Sequence, residues 1–409
     1  MTHLLSPYRV LDLTNEYGLF CGKVLADLGA DVIKIEMPGG DPSRNFGTFY
    51  EDIPDPEKNL EWFAFNTNKK SITLNIETPE GQAILKKLVK SADFLIESFH
   101  PGHMEDLGLG YTVLSELNPR IIVTSITPFG QSGPYRDYRV SDIVTLALSG
   151  FMIQCGDPDR APLRYSVEQA HIMASLHATA GSLIAFHHAQ ATGEGQHVDV
   201  SMYEAAIWFQ YSLVPFWDVA SVHLRREGPR ASRGNASFRL IWPCRDGYIN
   251  WRLVAGPMGK TMYALVDWMG EEGMAGDLRS VNWTMDMNDV TQEQAYAWEE
   301  GFGAFFLSHT KAELLDGAVK REIMLTPAST VEDLLNNPQF EARDFWVDVE
   351  HPELGTSLKY PGTPFKSTQN FPDEKYRSPL IGEHNVAIYI EELGIPENEL
   401  ASLKQSGVI

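Results

Sequence analysis

Apolar positions along the chain fall into two rhythms. Short runs such as Tyr8-Arg9-Val10-Leu11-Asp12-Leu13 and Asp31-Val32-Ile33-Lys34-Ile35-Glu36 predict buried strands. Between them, Phe20 to Leu28 has helical spacing and is closed by Gly29. Strand, helix and strand within about 30 residues make a βαβ unit, whose parallel strands need a right-handed crossover. The alternation continues with strands at Ser71-Ile72-Thr73-Leu74-Asn75, Ala92-Asp93-Phe94-Leu95-Ile96-Glu97 and Arg120-Ile121-Ile122-Val123-Thr124-Ser125. Thr78-Pro79-Glu80-Gly81 opens a helix, with a capping side chain before a proline in the first turn. The first 200 or so residues thus predict a doubly wound α/β domain. Such sheets bind ligands at the carboxyl ends of their strands, here Thr14 to Gly18, Ser98 to Gly102 and Ile126 to Gly133.

From Ile172 to Phe186 nearly every residue is apolar or small, with no single apolar stripe, which predicts a helix buried on all sides. Thr192-Gly193-Glu194-Gly195 stops it, His197-Val198-Asp199-Val200 alternates like a strand, and helix resumes at Met202. His171 stands at the mouth of that helix, with Glu168 three residues earlier and on the same face. From about Arg225 the texture changes. Arg225 to Gly234 is polar, basic and glycine-bearing and reads as a linker or loop. Short strands flank the turn Asp246-Gly247, and a Trp- and Met-rich helical stretch runs from Gly259 to Phe306. The tail from Phe345 is rich in Pro and Gly and ends in a predicted acidic helix, Glu391 to Gln405.

A formal net charge of −22 argues against nucleic acid as a partner, because phosphates need Lys and Arg. Cys21, Cys155 and Cys244 lack metal-ligand spacing, so neither a metal site nor a disulfide framework is expected. No leader segment and no apolar run of about 20 residues is visible, which predicts a cytoplasmic protein that does not enter a membrane. G-x-G-x-x-G is absent, which removes the dinucleotide fingerprint; H-E-x-x-H, G-x-S-x-G and the P-loop are absent too. Gly130, in Phe129-Gly130-Gln131-Ser132-Gly133-Pro134, could let backbone approach a ligand or simply make a tight turn. Asn68-Lys69-Lys70-Ser71 could hold a phosphate, although an exposed lysine pair is usually a solvated face.

Taken together, Val10 to Leu13, Leu25 to Glu36, Gly40-Asp41 with Arg44, and Asn68 to Leu74 resemble the family III CoA-transferases (the CaiB/BaiF family). So do Phe99-His100-Pro101-Gly102, Phe129 to Pro134, Thr192 to Gln196 and Pro379 to His384. The resemblance implies a Rossmann-like large domain built from both chain ends, 1–224 and 326–409. It also implies a small α+β domain, 225–325, and an interlocked, linked-ring dimer. The implied substrate is a coenzyme A thioester, with no permanently bound cofactor. CoA-binding positions carried over are Asn15, Lys70, Ser98, Phe99 and Gly130, with Gly256 and Gly259 of the small domain sheltering developing charge.

The family's reaction begins when a helix-start aspartate attacks an acyl-CoA. It passes through a mixed anhydride and an enzyme-bound CoA thioester to a new acyl-CoA. Counting back from Thr192-Gly193, that position is His171 here. The small residues usual after the first strand read Gly18-Leu19-Phe20, the asparagine before Phe99 is Ser98, and an arginine of several relatives falls at Asp106. These departures resemble the nucleophile-lacking subunit of the family's heteromeric, benzylsuccinate-handling branch. A paralogous Asp-bearing subunit is then the expected partner, with acyl-CoA and a carboxylic acid as substrates. Three alternatives stay open: His171 as general base of an acyl-CoA isomerase, racemase or lyase; Glu168 as a substitute nucleophile; and a binding module without activity.

Overall fold

The computed structural model describes residues 4–368 and 375–409. Two compact units emerge. One comprises the chain up to Phe151, Arg164–Ser221 and the chain from Glu341 onward; the other comprises Met152–Leu163 and Val222–Phe340.

The first unit is built on six parallel strands: β1 (Arg9–Leu13), β2 (Asp31–Glu36), β3 (Lys70–Thr73), β4 (Phe94–Glu97), β5 (Ile122–Thr127) and β6 (Gln196–Ser201). Their order is β3-β2-β1-β4-β5-β6. Every residue of β4 and β5 is buried, as a parallel sheet covered on both faces requires. The helices are α1 (Leu19–Asp27), α2 (Leu60–Phe65), α3 (Pro79–Val89), α4 (His103–Asp106), α5 (Tyr111–Leu117), α6 (Asp142–Leu148), α7 (Ala170–Thr192), α8 (Met202–Trp208) and α9 (Leu213–Ala220). On one face Leu11, Ile33, Ile72, Leu95 and Val123 pack with Leu85 and Leu88 of α3 and Leu114 of α5. On the other, α7 lies against the sheet, with Thr124 Oγ1 2.7 Å from Ser182 Oγ. The doubly wound α/β arrangement expected from the alternation is therefore present. Strand order reverses between β1 and β4, so the chains leaving those strands diverge and open a crevice.

Two expectations are corrected in this unit. The helix read as buried all round, α7, buries one stripe only: Ala170, His171, Ala174, Ser175, Ala178, Thr179, Ser182, Ala185 and Ala189. Small residues occupy that stripe because they let helix and sheet approach closely. Larger ones point outward, with Leu176 42% and Ile184 71% exposed. Of the lysine pair only Lys70 is solvated, its side chain 43% exposed. Lys69 is 4% exposed, and its Nζ donates to Asp12 Oδ2 at 2.8 Å, to Asn66 Oδ1 and to the Leu19 carbonyl. Lys34 Nζ lies 4.0 Å from Asp12 Oδ1 and 3.4 Å from Asp41 Oδ2. Burial raises the Asp12 carboxyl, but Lys69 and Lys34 together hold it below its usual range.

The tail completes the open edge of the sheet at β3. His384 N donates to the Ser71 carbonyl at 2.9 Å, and Asn385 accepts the Thr73 N–H and donates to Thr73 Oγ1. Tyr389 donates its hydroxyl to the Thr73 carbonyl at 2.7 Å. The predicted acidic helix is shorter than expected: a π-helix, Val386–Glu392, ends before Gly394 (φ +67°), and Glu397–Gln405 follows Pro396.

In the second unit β7 (Arg230–Arg233) pairs antiparallel with β8 (Ala236–Arg239). A three-stranded sheet has the order β11-β10-β9, from β9 (Ile241–Cys244), β10 (Gly247–Trp251) and β11 (Leu325–Pro327). Helices α10 (Gly259–Glu271), α11 (Gln292–Leu307) and α12 (Lys311–Lys320) cover a core that includes Trp242, Trp251, Trp283, Phe302 and Phe306. The segment read as a linker, Arg225 to Gly234, contains β7. Its Arg230 is held by both oxygens of Glu299 at 2.9 Å, a long-range pairing that composition does not reveal.

Candidate active site

Helix α7 begins without a capping side chain of its own. The cap comes from α6, where Asp142 Oδ1 accepts the Gln169 N–H at 2.8 Å and the Ala170 N–H at 2.6 Å. That carboxylate also suits the positive end of the helix dipole. His171 follows in the first turn and is 7% exposed. Its Nδ1 lies 3.7 Å from Glu168 Oε2, and the Phe65 ring meets it edge-on at 6.1 Å. Burial lowers its basicity, opposed by Glu168 and Asp142, and the net shift is downward. The imidazole is therefore neutral at pH 7. Asp142→Ala is expected to destabilise the start of α7 by about 1–2 kcal/mol, the usual weight of a lost N-cap. Urea unfolding of the full chain measures it, and Asp142→Asn should recover most of the loss.

A cavity of about 720 Å³ opens beside His171. Its apolar walls are Leu19, Phe46, Leu60, Trp62 and Phe65, and Glu168 and Arg164 add charge of either sign. Trp62 is braced by the Arg44 guanidinium, 3.7 Å from its ring centre, which also grips Glu36.

A second cavity, about 270 Å³, lies in the crevice at the carboxyl ends of β1 to β4 and brings Asn15, Ser98 and Phe99 together. Ser98 Oγ accepts the Asn15 N–H at 2.8 Å and donates to Asn15 Oδ1 at 2.7 Å, tying the two diverging loops. Phe99 stacks at a tilt on His103, with centroids 4.7 Å apart. Gly130 turns the loop after β5 at φ +85°, and the next N–H, of Gln131, is held by Asp199. Lys70 stands apart from this group; its ammonium leans back to Asp31 at the start of β2, 2.7 Å away. In the second unit Gly256 has φ +66°, and its N–H donates to the Trp283 carbonyl. A Cβ on Gly259 would lie 2.2 Å from that same oxygen. Asp142, Arg164 and the aromatic walls escaped sequence reasoning, because no motif spacing links them to His171.

The family model for CoA-transferase family III matches residues 5–385. The chain belongs to CoA-transferase family III. Among curated members, it is 35% identical over 99% of its length to succinyl-CoA:(R)-benzylsuccinate CoA-transferase subunit BbsE of Thauera aromatica, covering 98% of that protein. It is 33% identical to the succinyl-CoA–D-citramalate CoA-transferase of Chloroflexus aurantiacus, with 99% and 98% of the two chains covered. A solved CaiB/BaiF family protein from Brucella suis superposes with a TM-score of 0.81 at 28% identity, covering 96% of this chain and all of the other. The α/β architecture of this family III member is therefore the family's own, and CoA thioesters are the family's substrates. Among the described residues no helix is long and apolar enough to cross a membrane, and no cluster of metal-binding side chains occurs.

Proposed function

We propose that this chain is the non-catalytic subunit of a heteromeric CoA-transferase, paired with a paralogous aspartate-bearing subunit. The reaction moves CoA between a succinyl-CoA-like donor and an aryl-substituted succinate. The carrying observation is the buried imidazole, in place of a carboxylate, at the head of α7. In the family's reaction the enzyme side chain must itself become a CoA thioester, which needs a carboxyl carbon. Imidazole has none, so His171 cannot carry CoA whatever its nucleophilicity. Glu168 has the carboxyl group, but it precedes the helix and its side chain is 62% exposed, which removes the fixed geometry that attack requires.

Three further observations support the reading. Asn15, Ser98 and Phe99 gather at strand ends of the kind that bind ligands, with Gly130 just after β5, and this supports a CoA site in this subunit. The aromatic walls beside His171 suit an aryl group, and among the described residues lining the cavity Arg164 is the one cation, beside Glu16, Glu61 and Glu168, that could meet the acid's carboxylate. Helices α7 to α9 and the turn between α8 and α9 expose Ile184, Trp208, Tyr211, Val214, Trp217 and Val219, each more than half accessible, as a subunit meant to be covered in an interlocked pair would. A general-base role for His171 in an acyl-CoA isomerase is the second reading, favoured by its neutral ring on a cavity wall.

Native mass spectrometry of the chain expressed alone and with its genomic neighbour tests the pairing, with transferase and isomerase assays run alongside. The expected result is a mixed complex that alone transfers CoA. Isomerase activity from this chain by itself would establish the second reading instead.

A further inference from the structure

A polar cluster lies across β4, β5 and β6 on the face opposite α7, from the carboxyl end of β4 to the first residues of β6. Glu97 ends β4, is 4% exposed, and accepts the Phe99 N–H at Oε2, 2.7 Å away. Ser125 is its register partner on β5, and its hydroxyl pulls the Glu97 carboxyl downward. Ser125 Oγ lies 2.9 Å from His197 Nε2 on β6. Tyr111 of α5 stacks on His197 and anchors its own hydroxyl on the Gly195 carbonyl at 2.8 Å. These side chains border a small cavity of about 10 Å³, separate from the two described above.

Glu97 does not line the strand-end cavity, yet it sets one wall. Phe99 is bonded to its carboxylate, and the intervening Ser98 is the residue locked to Asn15. We propose that Glu97 is a positioning residue for CoA. Its ionised carboxylate clamps the Glu97-Ser98-Phe99 turn, so affinity at the strand ends rises with pH. The proposal rests on reading those strand ends as the CoA site.

With Glu97 ionised, its carboxylate accepts from the Phe99 N–H. The neutral carboxyl is the weaker acceptor for Phe99, by roughly half. Glu105 of α4 and Asp199 of β6 face the cluster with negative charge, and His100 borders it from the loop after β4. No Lys or Arg lines the small cavity. Burial, with those two carboxylates, pushes Glu97 up to about 7 against the pull of Ser125 and the Phe99 N–H.

The test uses the full chain and CoA itself. Calorimetric affinities of wild type and Glu97→Gln are compared from about pH 6 to about pH 8, the span of one titrating group. The ratio of the two affinities cancels the titration of the ligand. It is expected to rise about tenfold through neutrality in favour of wild type, while Ser125→Ala moves the midpoint upward. Hydrogen exchange at the Phe99 amide supplies a readout without CoA: its protection, corrected for intrinsic rate, should rise over the same range in wild type and stay flat in Glu97→Gln. A constant affinity ratio with CoA bound, or Phe99 protection indifferent to Glu97, overturns the positioning role. Wild type that shows the Phe99 titration but binds no CoA overturns the assignment of the strand ends, and leaves the clamp standing. If Glu97→Gln fails to fold, the midpoint shift in Ser125→Ala decides.

Discussion

In the mixed complex, His171→Ala is expected to leave the rate of CoA transfer within about twofold of wild type, whereas removing the partner subunit's nucleophilic aspartate should cost about a thousandfold or more. The asymmetry follows from what each side chain can become. A carboxylate can be acylated and then hold CoA as a thioester; a buried imidazole lacks the carbon for the second step. The same preparation assayed without its partner should show only the background rate. Steady-state kinetics of the two single variants settles the matter. A thousandfold loss in His171→Ala with intact pairing would sink the non-catalytic assignment and make His171 part of the chemistry.

The largest expected effect on stability comes from Asp12→Ala, at about 3–5 kcal/mol. It strands Lys69, which is fully buried at its side chain and bonded to Asp12 at 2.8 Å, and it leaves Lys34 with Asp41 as its remaining counter-charge. The measure is urea unfolding with a constant slope. Adding Lys69→Met to Asp12→Ala should recover a large part, because the isolated charge rather than the missing bond carries most of the cost. The pH dependence has a definite sign. Asp12 is depressed in the folded chain, so the unfolded chain protonates first on acidification. Its contribution is complete above about pH 4 and is lost as pH falls through the lower folded value.

The strands were legible because their burial on both faces leaves near-continuous apolar runs, as in β2 and β4. The crevice followed from alternation alone, since a doubly wound sheet opens where its order reverses. Side-chain partners were not legible. Asp142 caps a helix 27 residues further on, and neither end carries a signal that names the other. In α7 the apolar character is spread around the helix, so composition does not say which face is inward; closeness to the sheet chose the alanines and serines. Lys69 looks like any exposed lysine until the fold sets Asp12 beneath it. Glu97 closes an apolar run and reads as a strand end, although its burial gives it chemistry.

The edge strand β3 and the residues that complete it are 312 positions apart in the chain, Thr73 meeting Asn385. During synthesis at about 5–20 residues per second, β3 waits roughly 15–60 seconds for that closure. Throughout that interval the nascent sheet offers an unpaired edge and part of its apolar core to whatever surrounds the ribosome. The time for which that edge is open to a chaperone is thus set by where the last turn of the first unit is encoded.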